Sequence, residues 1–322
     1  MTLDGRPFDL QAHRGGRGLV VENTLAAFGT ALALGVTTLE LDVHISLDGV
    51  PMVVHDRRLG PLLRDTAPVS DGDPFFPYVG GLVADYTAAQ LRTIDAGTVT
   101  RPELTGQRAA PGARIPLLTE VFDLAAERGA AAVRFNIETK FDAVAPHETA
   151  PRERFAAALV DCVRAAGLVD RVSVQSFDWA VLRLVRELEP ALPLYVLTAP
   201  RYLEAGRAGA SPWLGGVDID DFADLAEAVA AQGFDAVSPS HGYPFDAGVA
   251  DPSYRPFTTP ELIDHAHAAG LLVVPYTVND LATMHALMDA GVDGLISDFP
   301  DRVRAVLAER GMPLPDAFPE VS

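Results

Sequence analysis

The 322-residue chain is 48% hydrophobic and 21% charged with 25 prolines, a composition that excludes disorder and provides for a sizeable core and many loops. Its 44 acidic and 25 basic side chains leave a net charge of −19, which repels phosphate backbones and anionic lipid head groups and so excludes nucleic acid as a non-specific partner. The one cysteine, Cys162, excludes an internal disulfide, and no apolar run approaches the roughly 20 residues that span a bilayer.

The opening MTLDGRPFDLQAHRGG has neither the charged nor the apolar region of a leader, so a cytoplasmic chain is expected. From there short β-branched runs alternate with alanine-rich stretches. The runs predict strands over 8–13, 38–43, 50–55, 133–138, 172–176, 194–198, 236–239, 272–277 and 294–297. Helices are predicted over 24–34, 117–128, 154–166, 179–188, 222–231, 260–269 and 281–290, with Cys162 as core filler in the third. Only Ile45 to Gly49 separates the second and third strands, too little for a parallel crossover, and Asp48-Gly49 is a turn signal; that pair is a hairpin. With the hairpin strand set aside, eight β-then-α units remain, the pattern of a closed (β/α)₈ TIM barrel spanning 1–322 as a single domain.

From Arg57 to Arg114 the alternation stops, and Pro61, Pro68, Pro74, Pro77, Pro102, Pro111 and Gly80-Gly81 interrupt the chain. A structureless loop of that length is improbable inside a compact domain, so 57–114 reads as an inserted cap subdomain following the second barrel strand and its hairpin, with Phe75, Phe76 and Tyr78 as its apolar centre.

Barrel active sites lie at the carboxyl ends of the strands, and these ends carry chemistry. The first ends in His13-Arg14-Gly15-Gly16, the second holds Glu40 and Asp42, the hairpin strand ends in His55-Asp56, and the fourth in Asn136-Ile137-Glu138-Thr139-Lys140. Glu40 and Asp42, two apart, share a face, and Glu138 joins them from another strand. Three carboxylates without cysteine suit one hard divalent cation, Mg²⁺ or Ca²⁺, although strand acids are also often satisfied by neighbouring cations. His13 and His55, with ordinary pKa values near 6.5, supply a proton acceptor and a proton donor for a phosphodiester, while Arg14 and Lys140 offset charge on its oxygens. Gly15, Gly16 and Gly18 do not have dinucleotide-site spacing, Asn23 or Thr24 reads as a helix cap, and the remaining histidines, His44 and His241 among them, receive no chemistry.

These residues belong to a longer series: His13-Arg14-Gly15, Glu22-Asn23-Thr24, Ala27-Phe28, Glu40-Leu41-Asp42-Val43, Asp48-Gly49, His55-Asp56, Asn136-Ile137-Glu138-Thr139-Lys140, Gln175-Ser176-Phe177, Tyr276-Thr277-Val278-Asn279, Gly291-Val292-Asp293-Gly294 and Ser297-Asp298-Phe299-Pro300. In order and spacing the series resembles the glycerophosphodiester phosphodiesterase family over nearly the whole chain. The resemblance implies a (β/α)₈ barrel with an insertion at 57–114, a divalent cation on Glu40, Asp42 and Glu138, His13 and His55 as the acid/base pair, and Arg14 and Lys140 on the phosphate. It implies metal-dependent hydrolysis of a small-molecule glycerophosphodiester to glycerol 3-phosphate and an alcohol; some members favour lysophospholipids. Val21, Thr139, Tyr276 and the run Arg57-Arg58-Leu59-Gly60 depart from the family pattern, the last two bearing on the alcohol accepted.

Rival readings are a Schiff-base barrel using Lys140, a cyclising sphingomyelinase D-like or lysophospholipase D-like phosphodiesterase, and a barrel that binds a glycerophosphodiester without turnover.

Overall fold

The strands that the alternation predicts wind around one lumen in a computed structural model that describes residues 7–320 apart from 208 and 210. Residues 1–6, part of the opening read above for a leader, lie outside the described residues. The strands are β1 (Asp9–Ala12), β2 (Thr38–Ile45), β3 (Pro51–Val53), β4 (Arg134–Thr139), β5 (Val172–Ser176), β6 (Leu194–Thr198), β7 (Ala236–Pro239), β8 (Gly242–Tyr243), β9 (Arg255–Pro256), β10 (Leu272–Val273) and β11 (Gly294–Ser297). Eight of them pair in parallel in the order β11-β1-β2-β4-β5-β6-β7-β10. Bonds from Asp293 N to Val273 O and from Ile296 N to Pro275 O, 2.9 and 3.0 Å, draw the two ends together, so the sheet is a nearly closed (β/α)₈ barrel.

β3 stands outside this ring, antiparallel to β2 with Val43 opposite Val53, and Gly49 turns the hairpin at φ 89°. β8 and β9 form a small antiparallel pair on the loop after β7. The last expected strand of the seventh unit, 272–277, pairs as a ladder only over β10, because Pro275 has no N–H to donate; Tyr276 nonetheless continues the extended path and bonds Pro239 O.

The helices are α1 (Leu25–Leu34), α2 (Ala88–Leu91), α3 (Leu118–Glu127), α4 (Arg152–Ala165), α5 (Trp179–Leu188), α6 (Pro200–Leu203), α7 (Leu225–Ala231), α8 (Pro260–Ala268), α9 (Leu281–Ala290) and α10 (Pro300–Glu309). Side chains that cap orphan N–H groups fix several starts: Thr24 for α1, Asp178 for α5, Asp224 for α7, Thr259 for α8 and Asp280 for α9. The Asp224 cap explains why α7 begins three residues later than its apolar pattern suggests. Helix α10, not expected from the sequence, starts on Pro300 and covers the outer faces of β1 and β11. Leu10, Leu39, Leu41, Phe135, Ile137, Val174 and Val196 point outward into one core shared with the helices.

Residues 57–114 are held by isolated bridges such as Arg64 with Asp95 and by an apolar cluster in which Leu59, Tyr78, Val83, Leu91 and Ile94 pack on Met52 and Val54 of the hairpin. Tyr78 is fully buried and Phe76 meets its ring edge-on at 5.3 Å. Phe75 does not join them: it is 63% exposed. Among the described residues no helix is long and apolar enough to cross a membrane.

Candidate active site

Period-two geometry turns Glu40 and Asp42 of β2 into the lumen, and the parallel register sets Asp42 beside Glu138 of β4. One oxygen from each of the three lies within 4.8 Å of the others, and all three residues are buried. Such crowding opposes ionisation. Burial, with Asp42 and Glu138 adding repulsion, pushes the Glu40 carboxyl well above its usual range, and burial pushes Glu138 up to about 7 although Lys140 pulls it back. Burial opposes the charge on Asp42 as well, but Arg14, His55 and Lys140 outweigh it and hold that carboxyl well below. Asp42 Oδ2 accepts from Asn23 Nδ2 at 2.8 Å and faces Arg14 Nε at 3.1 Å, whereas its Oδ1 is buried without a hydrogen bond, with the Lys140 ammonium 3.7 Å away. An ionised oxygen with no hydrogen bond, set between two acids that resist ionisation, leaves a donor set that Lys140 only partly neutralises, and all-oxygen donors fit a hard divalent cation.

His13 follows β1 in a tight turn. Gly15 there adopts φ 80°, and a Cβ on it would meet the backbone of Ala27 and Phe28 at 2.9 Å, so glycine alone lets α1 pack this close. Arg14 itself sits at φ 51°, a left-handed conformation that aims its N–H at Glu40 Oε2, 2.8 Å away. His13 Nδ1 bonds Asp298 Oδ1 at 2.5 Å. Asp298 also faces Arg17 Nε at 2.9 Å and accepts from Asn279 Nδ2 at 2.8 Å, which with His13 holds its carboxyl far below the usual range despite burial. An ionised carboxylate only accepts, so His13 carries its proton on Nδ1 and leaves Nε2 as the free nitrogen. Burial, reinforced by Arg14, lowers its pKa and keeps it neutral near pH 7.

His55, after the hairpin strand, repeats the device with Asp56 Oδ1 on its Nδ1 at 2.5 Å. Burial, then Arg14 and Lys140, lower its pKa to about 4. His44 Nε2 lies 3.2 Å from the His55 carbonyl, and burial lowers the His44 pKa to about 3, so a neutral His44 donates there. Lys140 Nζ donates to Glu138 Oε1 at 2.7 Å. Arg14 is gripped by Glu22 at 2.8 Å, and Glu22 in turn by Arg101 of the 57–114 segment at 2.5 and 2.7 Å.

Beneath the acids, a thread of amides fills the lumen. Gln175 donates to Glu40 Oε1 at 2.7 Å; Asn136 donates to Gln175 and to Gln11, each at 2.9 Å; Gln11 donates to Asp9 at 2.9 Å. The opposite side is apolar, formed by Tyr195, Ala236, Val274 and Ile296. Above both opens a cavity of about 1620 Å³ that His13, Arg14, Glu40, His55, Glu138 and Lys140 line on one side and Phe177, Tyr202, Trp213, Phe245 and Tyr276 on the other.

The seven residues singled out from the sequence thus converge; Asp42 lies just beneath the six that reach the cavity. Sequence reasoning missed the partners that orient them. Asp298, Asp56, Glu22 and Gln175 stood in quoted motifs but received no task, and Asn23, read as a cap, instead holds Asp42 while Thr24 alone caps α1. His44 and His241, also without an assigned part, both line the cavity.

A model of the glycerophosphoryl diester phosphodiesterase family matches residues 13–302. A Bacillus altitudinis protein named glycerophosphodiester phosphodiesterase is 29% identical over 92% of this chain and 97% of its own. A crystal structure of a putative glycerophosphoryl diester phosphodiesterase from Silicibacter pomeroyi superposes with a TM-score of 0.75 at 32% identity, covering 96% of this chain and 97% of the other. An Oleispira antarctica phosphodiesterase, solved in complex with the product sn-glycerol-3-phosphate, shares the fold with a TM-score of 0.66 at 21% identity, over 96% of this chain and all of that one (100%). With a family match across the barrel and relatives this close over nearly their full lengths, the chain belongs to the glycerophosphoryl diester phosphodiesterase family and is an enzyme of the phosphoric diester hydrolase class.

Proposed function

We propose that the protein hydrolyses glycerophosphodiesters to glycerol 3-phosphate and an alcohol, with Glu40, Asp42 and Glu138 holding one divalent cation, Mg²⁺ or Ca²⁺. The observation that carries this reading is the placement of two histidines, each oriented by its own carboxylate, on the cavity above three crowded acids of which one buried oxygen makes no hydrogen bond. The bound cation would act as a Lewis acid, stabilising negative charge on the phosphoryl oxygens. The protein's own groups do the rest. One of His13 and His55 takes a proton from the attacking water on its free Nε2, and the other, after taking up a proton from solvent on its own Nε2, gives it to the departing alkoxide as the bond from that oxygen to phosphorus breaks. Asp298 and Asp56 fix the tautomers and stabilise the imidazolium that forms. Arg14 and Lys140, the cations nearest the acids, balance charge on the diester.

On the same reading 57–114 caps the site, since Arg57, Arg58 and Leu59 line the cavity and Arg101 steadies Glu22 behind Arg14.

Phosphorus NMR of the purified enzyme with choline, ethanolamine, inositol and lysophospholipid diesters tests the proposal. Glycerol 3-phosphate, or its acylated form from the lysophospholipid, should accumulate, stop on exhaustive chelation and resume with Mg²⁺ or Ca²⁺. A persistent cyclic phosphate, or turnover indifferent to chelation, would overturn it.

A further inference from the structure

The alcohol released by this reaction leaves a record in the wall that faces the acids. Phe177, Tyr202 and Trp213 pack together, with ring centroids 4.3 Å apart for Phe177 and Tyr202 and 5.0 Å for Tyr202 and Trp213, and Tyr276 meets Phe177 at 5.8 Å. Such a wall by itself suits a quaternary ammonium head group. A protein cation has already taken that position: Arg201 lies 4.7 Å from the Tyr202 ring centroid and 5.1 Å from that of Phe245, and donates to Tyr202 Oη at 2.9 Å.

The rest of its surroundings set Arg201 apart. The cavity's Arg14, Arg17, Arg57 and Arg58 each pair with a carboxylate, whereas among the described residues Arg201 and Arg302 have none within ion-pair distance; Arg302 lies over the Phe299 ring and donates to the Asn279 carbonyl at 2.8 Å, so Arg201 is the one beside the aromatic wall. Asp246 and Asp280 line the same cavity without bridging it, and Glu204, on the next turn of chain, pairs with Arg207. In a chain of net charge −19, an arginine held in place by two rings and left without a counter-charge is a fork of donors kept free for an incoming oxyanion.

We infer that Arg201 is a specificity residue that binds a carboxylate or phosphate on the alcohol portion of the substrate, so that the enzyme prefers diesters whose alcohol carries a second negative charge over those with choline. The aromatic wall then packs the carbon skeleton of that alcohol. The inference rests on the phosphodiesterase reading for its substrate, and its test separates the two. Glycerophosphoserine and glycerophosphoethanolamine differ only by one carboxylate. The wild-type enzyme should favour the former in kcat/KM by about tenfold or more, the range of a charge-assisted hydrogen bond, with the difference mainly in KM. Arg201→Gln should bring the two within about twofold, and Arg201→Lys should keep part of the preference. In parallel, calorimetric titration with O-phosphoserine and O-phosphoethanolamine reads the same contrast without turnover. Hydrolysis of both diesters at equal rates, a preference for glycerophosphocholine, or a serine preference that survives Arg201→Gln would overturn the inference. An enzyme that hydrolyses no diester yet binds O-phosphoserine through Arg201 would sink the phosphodiesterase reading and leave the anion site standing; equal calorimetric affinities would sink the site.

Discussion

The two halves of the barrel lumen differ in kind. Along β1, β2, β4 and β5 the inward positions are Gln11, Glu40, Asp42, Asn136, Glu138 and Gln175; side-chain hydrogen bonds run from Glu40 through Gln175, Asn136 and Gln11 to Asp9, while Asn23 holds Asp42 and Lys140 holds Glu138. On the side of β6, β7, β11 and the chain that follows β10, the inward positions Tyr195, Ala236, Val274 and Ile296 pack as an apolar cluster. Buried side chains bonded to one another in a chain are fixed in orientation as well as position, so the amide thread is the rigid part of the first half. The second half supplies the nonpolar surface that a barrel needs to close. The groups proposed to react stand on the half that carries the hydrogen-bonded thread, and the aromatic wall rises above the other.

The sharpest way to break this comparison is at the acids. Replacing Glu40, Asp42 or Glu138 by alanine should cost at least about three orders of magnitude in kcat while circular dichroism and cooperative melting persist, because the cation is lost and the crowding relieved. A variant that keeps near wild-type turnover after chelation would refute the assignment. Next in size are His13→Ala and His55→Ala, each expected to lose about 10²- to 10⁴-fold on a natural diester. On a nitrophenyl diester, whose leaving group departs as a stable anion, the variant lacking the general acid should recover much of its rate and the variant lacking the base should not. Equal, unrescued losses at all metal concentrations would end the division of labour.

Gln175→Leu probes the polar thread itself. It leaves Glu40 Oε1 and one Asn136 N–H without partners, so a loss of about 2–4 kcal/mol in chemical denaturation is expected, with turnover down about tenfold. Glu22 offers a pH test. Burial opposes its charge, but Arg101 and then Arg14 prevail and lower its carboxyl to about 2. A depressed carboxyl adds stability that is present above its unfolded value near 4.5 and lost as pH falls towards 2. Glu22→Gln should therefore flatten the acid limb of Tm against pH in that window, with at most ~3 kcal/mol at stake. An unchanged limb would show that the Arg14–Glu22–Arg101 chain carries no net stability. The smallest effect belongs to the apolar half: Ile296→Val should cost about 1 kcal/mol and leave kcat within about twofold. A larger kinetic than thermodynamic change there would erase the contrast.

The barrel was legible because β-branched runs and alanine-rich stretches have periods that nothing in the tertiary structure overrides, and the hairpin because five residues cannot make a parallel crossover. Helix α10 went unread: its charged residues Asp301, Arg302, Arg304 and Glu309 dilute the apolar face that Val303, Val306 and Leu307 bury. At the site, residues that share a strand could be grouped from spacing alone, as with Glu40 and Asp42. The orienting partners could not. Asp298 lies 285 positions from His13, and Arg101 lies 79 from Glu22, separations over which no local pattern speaks. Phe75 misled because hydrophobicity does not say which of three neighbouring rings a short segment can bury; Tyr78 won by giving its hydroxyl to Asp73 at 2.7 Å.

The bond between His13 and Asp298 ties the first barrel strand to the loop after the last. A ribosome making this chain finishes the histidine early and its aspartate nearly three hundred residues later, at about 5–20 residues per second. Until then His13 lacks the carboxylate that sets its tautomer, so under the proposed mechanism a nascent or truncated chain with a half-built barrel is expected to be catalytically silent. Under that mechanism the appearance of activity would report closure of the ring, and release of the phosphomonoester during synthesis or refolding would time the arrival of the final strand.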